Sequence, residues 1–272
     1  MKNPVLIAVI ALILGGGIAA YFYWQQGLSK PEPAPLRSSL PSPPPVVPPA
    51  PPKPEVHQVV ETQPASHPLP ALADSDGFML DALAELVGNK SLMKLFHGEK
   101  VIHNIVATID NLPTHRAPMR VMPVVQAPGA FIVSGESDDL VISASNASRY
   151  TPYVRIAEAI DAKKLVEVYV RLYPLFQQAY EKLGYPEKYF NDRLIQVLDN
   201  LLGAPNIKEP VKLVQPNVMY LFADAGLEEC SIGQKILMRT GRRNESILKS
   251  KLREIKRELL LHMHDRKLVT PV

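Results

Sequence analysis

The chain is 272 residues long, 46% apolar and 21% charged, with a formal net charge of +3. A balance this close to neutral leaves no overall electrostatic footprint for nucleic acid or for an acidic substrate. Its one cysteine, Cys230, excludes an intramolecular disulfide and does not support a structural zinc site, so stability has to come from a hydrophobic core.

After a short tail at residues 1–4, Val5 to Trp24 runs for twenty residues without a charge. As a helix that is about 30 Å, the thickness of a bilayer's hydrocarbon core. Tyr21, Phe22, Tyr23 and Trp24 close the run with rings suited to the headgroup level. Gly17 and Ala19 are placed like a signal-peptide cleavage site, but the apolar run continues past them. The expectation is a retained, single-pass transmembrane helix over 5–24. The short tail favours a cytoplasmic N-terminus, which puts everything downstream outside the cytoplasm.

Residues 25–73 read as a tether. Fifteen of the 27 prolines lie between Pro31 and Pro70, a stretch nearly empty of aromatic residues. Such a composition cannot bury enough surface to offset its ordering entropy, and it favours extended polyproline II at about 3.1 Å per residue. The remaining residues, 74–272, are expected to form one globular domain, mostly α with a minor β hairpin.

Asp74-Ser75-Asp76 can cap a first helix through Phe78, Leu80, Leu83 and Leu86 to Gly88, and Ser91 a short second one to Phe96. Ile102, Ile105, Val106 and Ile109 recur at helical spacing until Asp110-Asn111-Leu112-Pro113 stops them. The period then shortens. Arg120 to Val125, Phe131 to Ser134 and Leu140 to Ser143 read as strands, the last two flanking a turn.

From Thr151 the pattern is helical again, with Pro152 at a first helical position. Asp161 to Gly184, interrupted only by Pro174, reads as one kinked helix or two. Pro186 to Leu202 and Asn244 to Met263 give two more. Val211 to Phe222 is ambiguous, because its apolar residues fit a strand and Pro216 argues against a central one.

Four groups of residues invite a functional question. Tyr169, Tyr173, Phe176 and Tyr180 fall within about 60° on one helix face. Flanked by Leu165, Leu172 and Leu183, they read as a core stripe; the alternative is an exposed stacking platform for glycan or peptide. Asp224 and Glu228 stand one helical turn apart, a spacing open to acid and base work, although Asp224 looks like an N-cap, and Lys235 and Arg239 are natural charge partners. Cys230 follows two glutamates that disfavour a thiolate.

The fourth group lies in Lys235 to Lys267, which holds eleven basic and four acidic residues, against fifteen basic and twenty acidic in Asp74 to Gln234. On the last helix Lys249, Arg253, Lys256 and Arg257 gather beside an apolar face of Leu248, Leu252, Ile255, Leu259 and Met263. Like charges at i, i+4 oppose the helix, so an acidic group is expected to compensate them: the domain's own acidic half, an acidic protein partner or anionic lipid headgroups. Lys249, Arg253, Lys256 and Arg257 are therefore the candidate interaction surface.

Taken together, IDNLP (Ile109 to Pro113), NASRY (Asn146 to Tyr150), YPLFQQAYEKLGYP (Tyr173 to Pro186), FNDRL (Phe190 to Leu194), YLFAD (Tyr220 to Asp224) and GQKILMRTG (Gly233 to Gly241) resemble the bacterial family catalogued as domain of unknown function 3014. The likeness covers about Asp76 to Leu259. It implies an anchor, a Pro-rich spacer and this domain, and hence a bacterial inner-membrane protein with its domain in the periplasm. It carries over no activity, cofactor or active site.

No P-loop, GxSxG elbow, HExxH or Rossmann fingerprint is present as a motif, so no cofactor, metal ligand or catalytic residue is assigned. The reading is an integral, single-pass envelope protein whose tethered helical domain docks onto a protein partner, with anionic lipid as a further ligand and no role for nucleic acid, from which export would separate it. The alternative is an envelope-polymer hydrolase or transferase with an unrecognised active site.

Overall fold

A computed structural model of the protein describes residues 68–264 except 89, 116–120, 126, 137 and 138. The expected membrane span, the tether up to residue 67 and the tail from 265 lie outside them. Among the described residues no helix is long and apolar enough to cross a membrane.

Eight helices and two short antiparallel strand pairs make up the described fold: α1 (Asp76–Val87), α2 (Val101–Asn111), β1 (Val133–Ser134), β2 (Val141–Ile142), α3 (Asn146–Ala159), α4 (Ala162–Lys182), α5 (Phe190–Leu202), β3 (Leu213–Val214), β4 (Leu221–Phe222), α6 (Ala225–Glu228), α7 (Ile232–Arg239) and α8 (Arg242–His264). The mostly helical class with minor β is what the sequence predicts.

α1 ends at Gly88 in the left-handed region, a conformation in which glycine has no Cβ to clash. Ser75 does not cap α1 with its side chain; its Oγ donates to the Leu72 carbonyl. Asp76 acts at a distance instead. Its carboxylate accepts from the backbone N–H groups of Lys100 and Val101 at 2.7 and 2.8 Å, satisfying orphan donors at the start of α2. The Ser91 segment is a 3-10 helix, Lys90–Leu95.

Several expectations are corrected. Arg120 to Val125 forms no strand among its described residues. Val124 makes one isolated bridge to Phe96, because its partner is the end of a 3-10 turn that cannot extend a ladder. Pro152 lies inside α3, which already begins at Asn146. Pro174 lies inside α4, one helix rather than two, which Asp161 caps by accepting from Lys164 N at 2.8 Å. The ambiguous stretch is a second hairpin, with Leu213 opposite Phe222 and Val214 opposite Leu221, and Pro216 falls in the turn between them. The two hairpins meet through Ile142 N to Val211 O at 3.0 Å and Leu213 N to Leu140 O at 2.7 Å.

The main core is built on α8, which packs against α3, α4, α5 and α7, while α4 also meets α2. Leu248, Leu252, Ile255 and Leu259 of α8 are fully buried, as the apolar stripe predicts. α7 comes exceptionally close to its neighbours. A Cβ on Gly233 would stand 2.5 Å from Leu201 Cδ2 and 3.1 Å from the Leu112 carbonyl oxygen, which accepts from Gly233 N at 2.9 Å. A smaller cluster of Ile207, Val211, Leu213, Phe222 and Met238 lies under the hairpins.

Candidate functional site

The aromatic stripe is interior. Tyr169, Tyr173, Phe176 and Tyr180 are all buried, and Phe190 of α5 stacks on Phe176 with centroids 6.2 Å apart. Tyr169 meets Tyr173 edge to face at 5.8 Å. Burial pushes the Tyr169 and Tyr173 phenols well up, and raises Tyr180 to about 12. The platform alternative is therefore overturned: a ring sealed under α5 offers no face to a ligand.

Asp224 and Glu228 are occupied in holding α6. Asp224 caps the turn by accepting from Leu227 N at 3.0 Å. Glu228 accepts from Phe222 N at 2.9 Å and pairs with Lys235 Nζ at 2.5 Å, which ties the outer edge of β4 to α7. Arg239, the other expected charge partner, is buried instead. Its guanidinium lies 5.1 Å from the Phe222 ring centroid and 5.6 Å from that of Phe131, and it donates to the Tyr220 carbonyl. The Cys230 thiol is pushed up, first by desolvation and then by Asp224 and Glu228 against the opposing pull of Lys235. Among the described residues no three His, Cys, Asp or Glu side chains stand together as a metal set.

The basic residues of α8 divide into two populations. Lys249 is buried beside an equally buried Glu245 one turn earlier, with Nζ 2.6 Å from Glu245 Oε1. It also donates to Ala204 O at 2.7 Å and Asn206 Oδ1 at 2.9 Å, in the loop after α5. Lys249 is thus removed from the expected interaction surface, because the 204–206 loop crosses over it. Lys251, also buried, donates to Ile160 O at 2.9 Å and pairs with Glu254 at 2.8 Å.

The C-terminal half differs. Arg253 and Arg257 are exposed, and Lys256 pairs across to Asp199 of α5, a half-exposed carboxylate. No described carboxylate pairs with Arg253, while Arg257 has only a loose 3.7 Å approach to its neighbour Glu258. Arg253, Lys256 and Arg257 line an open, predominantly apolar groove of about 480 Å³ between α5 and α8, with Leu202, Leu260 and Leu261 as its apolar members. Leu261 is 54% exposed. The sequence reading missed these leucines and Asp199. The signal was the run Leu259-Leu260-Leu261, in which Leu259 serves the core stripe and Leu261 stays exposed.

The motif residues quoted above turn out to join segments. Arg193 of FNDRL donates to Asp110 of IDNLP through Nε at 2.7 Å and to the Asp110 carbonyl at 2.6 Å. Asn146 of NASRY exchanges hydrogen bonds with the backbone of Ile132. Gln177 accepts from Phe190 N and donates to Lys188 O, closing the α4–α5 turn. Ser231 and Gln234 form a capping box on α7.

A family model described as Protein of unknown function (DUF3014) matches residues 101–256, more than half of the chain. The chain belongs to this family. The match runs from the first residue of α2 to Lys256, so it takes in Arg253 and leaves out Arg257, Leu260 and Leu261. No curated protein and no solved structure matches the chain.

Proposed function

We propose that this DUF3014 protein is a non-enzymatic docking or scaffold module of the bacterial envelope, anchored in the inner membrane by residues 5–24 and carried into the periplasm on the proline-rich tether of residues 25–73. The observation that carries the reading is the split of the α8 cations. Where the fold needs Lys249 and Lys251 it encloses and partners them, whereas Arg253 and Arg257 stay exposed beside the exposed Leu261. Charged rims around apolar patches are how one surface selects another. The architecture agrees, since a stiff spacer matters only where position matters.

The test is affinity capture from membranes with the full-length protein and with Arg253→Glu/Arg257→Glu. A stoichiometric partner that is lost in the double reversal, and released as salt rises, supports docking, provided the melting temperature is unchanged. Association indifferent to both the reversal and salt overturns it. A reporter fused after Val272 checks the topology: activity only in a cytoplasm-active reporter would reverse the assigned orientation.

A further inference from the structure

We infer that the groove between the C-terminal half of α8 and the end of α5 receives an acidic amphipathic helix from a protein partner, and that Asp199 stands where one of the partner's carboxylates would sit. The inference rests on the docking role proposed above and names the chemistry of the occupant.

The walls decide the occupant's backbone. Both are helices, α5 and α8, and no lining residue belongs to a strand. Strand addition needs an open strand edge, and none lines this groove. A helix needs only side-chain contacts, apolar anchors in a trough flanked by complementary charge. The shallow trough supplies Leu202, Leu260 and Leu261 and opens over about 480 Å³, room for a few apolar side chains.

The charge decides the occupant's sign. Arg253 and Arg257 are one helical turn apart, and their exposed guanidinium groups present planar forks suited to carboxylates. Lys256 already shows that this wall receives a carboxylate, since Asp199 reaches across from α5 to pair with it. That pair is half-exposed and thus exchangeable: an incoming glutamate can take Lys256 at the cost of a weak surface bond. A helix with glutamates four residues apart beside a leucine face matches the spacing of Arg253 and Arg257.

The probe is a labelled, stapled peptide with leucines at i, i+3, i+4 and i+7 and glutamates at four-residue spacing, titrated by fluorescence anisotropy into full-length protein in zwitterionic nanodiscs. Binding is expected to weaken with salt, and to fall about tenfold or more when the peptide's glutamates become glutamines or in Arg253→Glu/Arg257→Glu. Asp199→Asn is expected to tighten binding about two- to fivefold, the range an exposed ion pair commands. No loss of folding can mimic that gain.

Equal binding of the Glu and Gln peptides, an Asp199→Asn variant no tighter than wild type, or stronger association with phosphatidylglycerol vesicles than with the peptide would each overturn the inference. If the peptide fails while Arg253→Glu/Arg257→Glu still abolishes the captured partner, docking stands and the acidic helix falls. If capture is also indifferent, both fall.

Discussion

The two halves of α8 both carry cationic side chains, and these come to opposite ends. Lys249 and Lys251 lie inside, each given a carboxylate and at least one carbonyl or amide oxygen. Arg253 and Arg257, one and two turns further on, remain in solvent. The difference is set by what crosses the helix. The 204–206 loop and the end of α3 bond to the cations of the first half, whereas beside Arg253, Lys256 and Arg257 the lining from another helix is Leu202, at the end of α5. A buried cation is tolerable only when the same loop that covers it also solvates it.

Removing the ammonium from the covered half breaks this arrangement most severely. Lys249→Ala is expected to cost about 3–5 kcal/mol, because Glu245 becomes an uncompensated buried charge. A fall in the urea midpoint with unchanged slope measures it. Glu245→Leu/Lys249→Met should recover most of that loss, since two apolar side chains replace the pair without stranding either charge. If the double variant is as unstable as the single one, the oxygens of Ala204 and Asn206 matter more than the pair.

Raising the pH puts new charge into the same core without mutation. The buried phenols Tyr169, Tyr173 and Tyr180 have pKa values above the ordinary 10.0, so above pH 10 the unfolded chain releases protons that the folded chain retains. Stability is therefore full below about pH 10 and is lost as pH rises toward and past 12. Of the ten tyrosines, the last to ionise should do so together with the loss of helical signal. Ionisation of all ten with helicity intact would mean that the stripe is wetter than its burial indicates.

A smaller contrast lies in α6, where Asp224 caps a turn in solvent and Glu228 meets a buried lysine. Asp224→Ala is expected to cost about 1 kcal/mol and Asp224→Asn only a fraction of that, because asparagine still accepts from Leu227 N. The smallest effect is expected at the open end of α8. Arg253→Ala and Arg257→Ala should leave the urea midpoint unmoved within error.

Much of this was legible from periodicity. The stop of α2 at Asn111-Leu112-Pro113, the cap at Asp224, the apolar stripe of α8 and the interior character of the tyrosine stripe all follow from local pattern. What failed was non-local. Lys249 and Arg253 are equivalent on a helical wheel, and only the path of residues 204–206 separates them. Val124 has the residue type of a strand but faces a 3-10 turn. Pro152 marks no beginning because Asn146, bound to Ile132, starts α3 six residues earlier. The groove escaped because its leucines come from two helices far apart in the chain.

The reach of Asp76 to the start of α2 also has a mechanical meaning. A pull arriving from the N-terminal side enters the domain at Leu69 and Leu72, which pack on the core, and then at the two bonds from Lys100 and Val101 to the Asp76 carboxylate. Those bonds join the first helix to the second before any force reaches α8. In a force-spectroscopy trace of wild type against Asp76→Ala, the variant should yield earlier at its first rupture and not at its last. Rupture at α8 would thus follow only after the Asp76 edge of the domain had given way.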